Sequence, residues 1–357
     1  MMFLAWKELM HSKRKFNLVI LLVVLIAYMV YFLTSLAFGL ATSYTNGINK
    51  INADYIVLGA NANDNVMMSM LPNSLYDDVI TTGEKAKLGL FPAVAADGEL
   101  SGEALEASRV EIYVFGVENI QFFIPDDINM SLADGQVIVD SSMKKLGYMI
   151  GDEIMLSDNE TFWTIVGFTE KATYQTAPIV YANLSTWQDY RFSGQPNTAS
   201  YNAVMIKGNV SLGSSELTSY TIGDFIQTLP GYTAQVLTFS IMIGFLIVIV
   251  AFVLGIFIYV LTIQKVSMFG VMKAQGISNR YIAQSVLNQT LILIVIGAAL
   301  GLMLTLVSGY FLRDIVPFAV NILFYSAISI LFIVFSLLGG LFSVNTVVKI
   351  DPLRAIG

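Results

Sequence analysis

The sequence has 357 residues, 55% apolar and only 13% charged, with no cysteine, one histidine and a formal net charge of −7. A soluble domain carries about a quarter charged residues, so this composition, with its mean hydropathy of +0.68, excludes an ordinary cytosolic enzyme and a disordered chain. The acidic balance argues against nucleic-acid binding, and the absent thiols and lone His11 leave no material for disulfides, thiolate metal sites or a histidine triad. A polytopic membrane protein remains.

Residues 1–15 place Phe3, Trp6 and Met10 on one helical stripe, followed by Lys13, Arg14 and Lys15. That pattern predicts a cytoplasmic amphipathic helix on the inner leaflet, which also anchors the topology. A bilayer span needs roughly 20 mainly apolar residues. Four stretches qualify: transmembrane helix 1 over 16–42, helix 2 over 233–263, helix 3 over 287–312 and helix 4 over 317–348. The first is too long for a signal-peptide core, and Thr42-Ser43-Tyr44 is a poor cleavage site, so it is expected to be retained. None of the four holds Asp, Glu, Lys, Arg or His, which argues against a proton relay, an ion pathway or an intramembrane protease.

Residues 43–232 differ in kind. Turn chemistry recurs at Leu71-Pro72-Asn73, Ala133-Asp134-Gly135 and Ser157-Asp158-Asn159. Short runs around Tyr55–Leu58, Glu111–Phe115, Val137–Val139, Phe162–Val166 and Ile179–Tyr181 read as strands, and Ser141–Leu146 and Ser185–Phe192 as helical pieces. The expectation is an α-helical membrane protein with four transmembrane helices and a large α+β extracytoplasmic domain between helices 1 and 2. Orientation follows from charge. The domain carries nine basic and 23 acidic residues, whereas the short segments outside it and outside the helix 3–helix 4 connection carry nine basic and two acidic. Basic residues stay inside while long domains translocate, so both termini and the 264–286 loop are expected in the cytoplasm. The acidic surface either attracts a cationic ligand or simply solubilises the domain.

The 264–286 loop is short and mixed in polarity. Phe269 and Met272 lie about one helical turn apart, Gly276 offers a stop and Ser278 a cap for the next helix. A surface helix here is expected to have little of its own chain to pack against, leaving a partner protein to cover it.

The stretch Phe269-Gly270-Val271-Met272-Lys273-Ala274-Gln275-Gly276-Ile277-Ser278 resembles the signature of FtsX/MacB-type (type VII) ABC transporter permeases. Residues 349–357, Lys-Ile-Asp-Pro-Leu-Arg-Ala-Ile-Gly, are similar to that family's ending, a cytoplasmic tail. Gly135–Asp140 and Lys145–Asp152 resemble its outer domain. Gln264 and Ser267 stand where the family often has Glu. The resemblance implies a cell-membrane permease subunit, not an enzyme, assembled as a homodimer with two copies of a separate ABC ATPase. It implies mechanotransmission, with Phe269, Gly270, Met272, Lys273 and Gly276 coupling to the ATPase. The sequence contains no Walker A pattern. Gly297 and Gly301 offer a close-approach stripe, between subunits or within one.

The opening Phe3–Leu9 and the length are similar to the haem-efflux branch of the family in Gram-positive bacteria. Haem is then the transported ligand, with no intrinsic cofactor. Haem iron accepts His, Tyr or Met, and with His11 at the cytoplasmic end the outer ligands have to be Tyr or Met. The candidates are Tyr28, Met29, Tyr31, Tyr44, Met67, Met68, Met70, Tyr174 and Tyr232, with lateral entry between helices 1 and 2 of the two subunits. Each also has a plainer reading: interfacial tyrosines form aromatic belts, methionines fill apolar gaps, and Tyr174 can hydrogen-bond a strand edge. Lipid, lipoprotein, peptide or antibiotic cargo fits the same fold, as does a regulator that moves an extracellular partner.

Overall fold

The computed structural model describes residues 13–124, 131–156, 161–192, 200–313 and 315–348. Most of the predicted N-terminal helix, with His11, lies outside the described residues, as does the 349–357 tail. The chain divides into two compact units: Met1–Leu40 with Val236–Gly357, and Ala41–Gln235.

The first unit is helical. α1 (Lys13–Lys50) begins here and leaves for the second unit. Beyond the sheet-rich unit and its helices α2 (Gly102–Ala107), α3 (Ile120–Phe123), α4 (Leu184–Phe192) and α5 (Ile222–Thr228), the chain returns. It continues as α6 (Tyr232–Ile263), α7 (Val266–Ala274), α8 (Asn279–Leu312) and α9 (Ile322–Val348). Four helices, α1, α6, α8 and α9, are long and apolar enough to cross a membrane. Their shared core is Val19, Val23, Ala27, Val30 and Tyr31 of α1, Val250 and Leu254 of α6, Leu293 and Ile294 of α8, and Tyr325, Ile328 and Phe332 of α9. Gly297 and Gly301 pack within this chain: a Cβ on Gly297 would meet Val23 Cγ1 at 2.4 Å, and one on Gly301 would meet Ala27 Cβ at 2.7 Å.

Three helix boundaries differ from the sequence reading. The first helix continues eight residues past 42, because Tyr44, Ile48 and Ile51 repeat at helical spacing and pack into the sheet-rich core. The third begins at Asn279, where the Ser278 side chain caps it by accepting from the Tyr281 N–H. The fourth begins at Ile322, where Asn321 Oδ1 accepts from the Leu323 and Phe324 N–H groups at 2.9 and 3.2 Å. Residues before it are not helical, and the Pro317 carbonyl oxygen lies 1.9 Å from where a Cβ on Gly39 would stand.

The second unit is built on strands β1 (Tyr55–Gly59), β2 (Leu71–Pro72), β3 (Val79–Ile80), β4 (Glu84–Asp97), β5 (Val110–Val117), β6 (Gln136–Asp140) and β7 (Glu153–Leu156). β8 (Phe162–Thr169), β9 (Thr173–Tyr174), β10 (Ala177–Asn183), β11 (Ser200–Tyr201), β12 (Ala203–Lys207), β13 (Ser211–Leu212) and β14 (Leu217–Thr221) complete it. The main sheet runs β14-β1-β12-β4-β5-β10-β6-β8-β7, with β9 on β10. β5–β10 and β6–β8 are parallel. β4 also pairs with β7, Ala95 opposite Leu156, so strands β4 to β7 close a circuit. Alternation sorts side chains to the two faces. Leu90, Phe115, Ile138 and Tyr181 join one core, under α5 and the end of α1. Phe91, Val114, Val139 and Val180 join the other, under Trp187 of α4.

A surface clamp joins β12 to the segment before β1. Asp54 accepts from the Gly208 N–H at 2.8 Å and from Lys207 Nζ at 3.2 Å. The amide hydrogen bond, then the ammonium, hold its carboxyl below the ordinary value of 3.8. A depressed folded pKa adds stability that is present above the ordinary value and lost as pH falls through the lower folded one. Asp54→Asn is therefore expected to lower the thermal midpoint at neutral pH and to change nothing once the wild-type carboxyl is protonated. A pH series of melts on both proteins checks this.

Candidate functional site

Tyr28 and Tyr31 turn to different neighbours. Tyr31 is fully buried, its hydroxyl 2.7 Å from Ser329 Oγ on α9, with its ring edge-on to Tyr325 at 5.5 Å and Phe332 at 5.9 Å. Tyr28 donates to Ser308 Oγ on α8 at 3.2 Å and stacks on Phe32. Ser35 Oγ lies 2.5 Å from the Tyr325 hydroxyl. These hydroxyls fasten α1 to α8 and α9 by interhelical hydrogen bonds. Of these two candidate ligands, Tyr31 is packing material of the bundle. Met29, between them in sequence, is exposed on α1.

Tyr44 and Tyr232 do come together. Their rings are 5.9 Å apart, and the Tyr44 hydroxyl donates to the Pro230 carbonyl at 2.5 Å. Gly231, at φ +80°, makes the turn into α6 and passes 3.6 Å from that hydroxyl, measured from where its Cβ would stand. Both rings are half-buried. Behind them Tyr113 and Tyr174 meet edge to face at 4.9 Å. Gln175 links the two layers, its N–H donating to the Tyr44 carbonyl at 3.0 Å and its Oε1 accepting from the Tyr113 hydroxyl at 3.0 Å. Tyr174 itself is 1% exposed, and burial pushes its phenol upward. A ferric iron is ligated by tyrosinate, so burial removes Tyr174 from any exposed ligand set.

The methionine cluster is split. Met67 packs against the sheet-rich core, while Met68 and Met70 are exposed. Their turn is pinned from below by Asn202, whose Nδ2 donates to the Val66 and Ser69 carbonyls.

At the other end of the membrane unit, α7 is a nine-residue helix entered at Lys265 and left through Gly276, whose φ of +85° suits glycine. Phe269 and Gly270 are buried. Phe269 packs on Ile282 and Val286 of α8, with Met272 beside it. The expectation that this helix lacks cover within its own chain is corrected: helix 3 begins eight residues earlier than its apolar run suggests, and those turns receive Phe269. The face left open carries Met268 and Val271, with Gln275 and Gly276 beyond. Lys273 is half-buried.

Residues 225–352, which hold α6 to α9, match the family model described as FtsX-like permease C-terminal. Over 363 residues the chain is 24% identical to a hemin transport system permease protein, HrtB, of Staphylococcus epidermidis, covering 99% of both chains. It is also 24% identical to the HrtB of Staphylococcus haemolyticus over 371 residues, with 99% of each chain covered. The chain thus carries an FtsX-like permease C-terminal domain and is similar over nearly its full length to ABC transporter permeases. An uncharacterised ABC transporter permease of Mycobacterium tuberculosis is 24% identical over 364 residues, covering 100% of this chain and 99% of that one.

The permease is a multi-pass membrane protein. Among the described residues no group of three or more His, Cys, Asp or Glu side chains is placed to hold a metal ion. Sequence reasoning missed Tyr113 and Gln175. Tyr113 was legible only as an alternating strand residue, and the turn that brings Gln175 under Tyr44 rests on positive φ at Gln175 and Thr176, which no residue type there announces.

Proposed function

We propose that this permease is the membrane subunit of an ABC transporter that exports haem, working as a homodimer with two copies of a separate ATPase. The observation that carries the mechanical part is α1. It is one uninterrupted helix of 38 residues, roughly 57 Å at 1.5 Å per residue, well beyond a hydrocarbon core of about 30 Å. Its last ten residues belong to the sheet-rich unit, where Ile48 sits in the core and Gly47 abuts Ile179, Cδ1 standing 2.1 Å from a would-be Cβ. One helix thus contributes residues to both units, and the mechanical reading rests on that shared helix. Docking of the ATPase on the open face of α7, with Met268 and Val271, would pass its ATP-driven movement into the helical unit.

Charge asymmetry supports that unit lying outside and both termini inside a Gram-positive plasma membrane. The haem assignment is supported by near-full-length similarity to proteins named for hemin transport. Within the tyrosine and methionine candidates, the geometry favours the Tyr44–Tyr232 pair as the haem-facing group, since the two rings converge and stay accessible.

Deleting the gene from its own host and challenging cells with haem tests the reading. The expected result is haem retention in the membrane and arrested growth, both reversed by the wild-type chain. Unchanged haem tolerance would overturn the cargo and favour lipid, lipoprotein, peptide or antibiotic export, or action on an extracellular partner.

A further inference from the structure

The coupling helix is anchored on α8. Phe269 inserts against Ile282 and Val286 of α8, and no α6 residue belongs to that cluster. A polar tie lies beside it: Lys265 Nζ donates to Gln289 Oε1 at 2.7 Å. Gln289 is only 6% exposed, and its Nε2 reaches Ser285 Oγ at 3.4 Å. A lysine at a helix end near a membrane surface ordinarily extends its ammonium to water and headgroups. Here it reaches inward to a buried amide instead. Residues 282, 286 and 289 share one face of α8, so Phe269 and Lys265 hold the same stripe.

That face continues towards α1. Gly297 and Gly301 bring α8 close to α1, with the Tyr28 nitrogen 2.9 Å from a would-be Cβ on Gly301. α6 is held differently. Its buried residues are Val250, Leu254, Ile258 and Thr262, all in its second half. A cavity of about 30 Å³ lies beside the Lys265–Gln289 bond, lined among others by Val19, Leu254, Thr262 and Thr290. The cavity is bordered by α1, α6 and α8 alike.

We propose that Lys265 is a positioning residue that locks the coupling helix to α8 through Gln289, so that α7 and α8 move as one body when α7 is pushed. The inference rests on reading α7 as the ATPase-coupling element.

The chain contains no cysteine, so spin-label pairs can be placed on a clean background. Ala274→Cys with Met303→Cys spans α7 to α8, and both side chains are exposed. Distances are read by pulsed electron resonance in the complex with its ATPase, purified from the host membrane, with ADP and then with a non-hydrolysable ATP analogue. The α7–α8 distance is expected to stay fixed between the two nucleotide states, changing by less than the roughly 2 Å of helix movements in switching proteins. In Lys265→Ala and in Gln289→Leu, ATP hydrolysis persists but the α7–α8 distance becomes nucleotide-dependent. The double variant behaves like either single one, and Lys265→Arg and Gln289→Glu restore the fixed distance.

A wild-type α7–α8 distance that moves with nucleotide overturns the lock. A fixed distance that survives Lys265→Ala and Gln289→Leu overturns the role of Lys265. Failure of any ABC ATPase to purify with the wild-type chain overturns the coupling reading itself, and that outcome is seen before any label is attached.

Discussion

Asn202→Leu is expected to destabilise the sheet-rich unit by about 4 kcal/mol or more, the sum of several orphaned buried groups at 1–3 kcal/mol each. Asn202 is 1% exposed between β11 and β12. Its Oδ1 accepts from the Leu90 N–H at 2.6 Å, and its Nδ2 donates to the Val66 and Ser69 carbonyls at 3.1 and 2.7 Å. Ser69 Oγ closes the network on the Asn202 carbonyl at 2.5 Å and accepts from the Gly59 N–H at 3.0 Å. Leucine keeps the branched shape, is somewhat larger, and strands three buried backbone groups. Trp163 and Trp187 are both buried in this unit, so tryptophan emission reports its melting directly in the full detergent-solubilised chain. A midpoint lower by about 10 °C is expected from the usual few degrees per kcal/mol for a unit of this size. A shift within about 2 °C would show that the side chain does not hold the turn carrying Met68 and Met70.

Trp187→Ala is expected to cost about 3–5 kcal/mol, the range for emptying a large aromatic site. The indole of α4 is fully buried and lies on two glycines, Gly89 of β4 and Gly116 of β5, which stand directly opposite each other in the sheet. A Cβ on either would meet the indole at 2.4 Å. Phe91 and Phe192 flank it at 6.2 and 5.9 Å. Among the described residues Trp187 Nε1 has no hydrogen-bond partner, so the loss is one of packing, and Trp187→Phe retains much of the stability. Gly116→Ala fails for the opposite reason, because the added methyl drives the indole from its seat. Near-UV circular dichroism of the three variants, followed on heating, separates these outcomes. Equal melting of Trp187→Ala and wild type would contradict the packing account.

Periodicity made much of this fold legible. Valine- and isoleucine-rich runs marked β5, β6, β8 and β10, and hydropathy marked four helices. Features set by tertiary contacts were not legible. The end of α1, Ala41–Lys50, reads as polar linker, yet Tyr44, Ile48 and Ile51 find the sheet core and keep it helical. β4 runs through Pro92, a residue that local propensity places outside strands. Phe269 looked like an outward anchor because the turns of α8 that bury it, Asn279–Val286, carry Arg280 and Gln284 and fall outside the apolar run. The candidate ligands divide along the same line. Residue type selected the tyrosines, but only packing distinguishes Tyr31, spent on Ser329, from Tyr44 and Tyr232, whose rings face each other.

The most direct test of the haem account is an absorbance spectrum of the permease purified with its ATPase from haem-fed cells, beside Tyr44→Phe/Tyr232→Phe and Tyr31→Phe variants. The account predicts a Soret band in the wild type, kept by Tyr31→Phe and lost or shifted in the paired variant. A wild-type complex with no Soret band would contradict haem as its cargo, and a band unchanged in the paired variant would contradict the site.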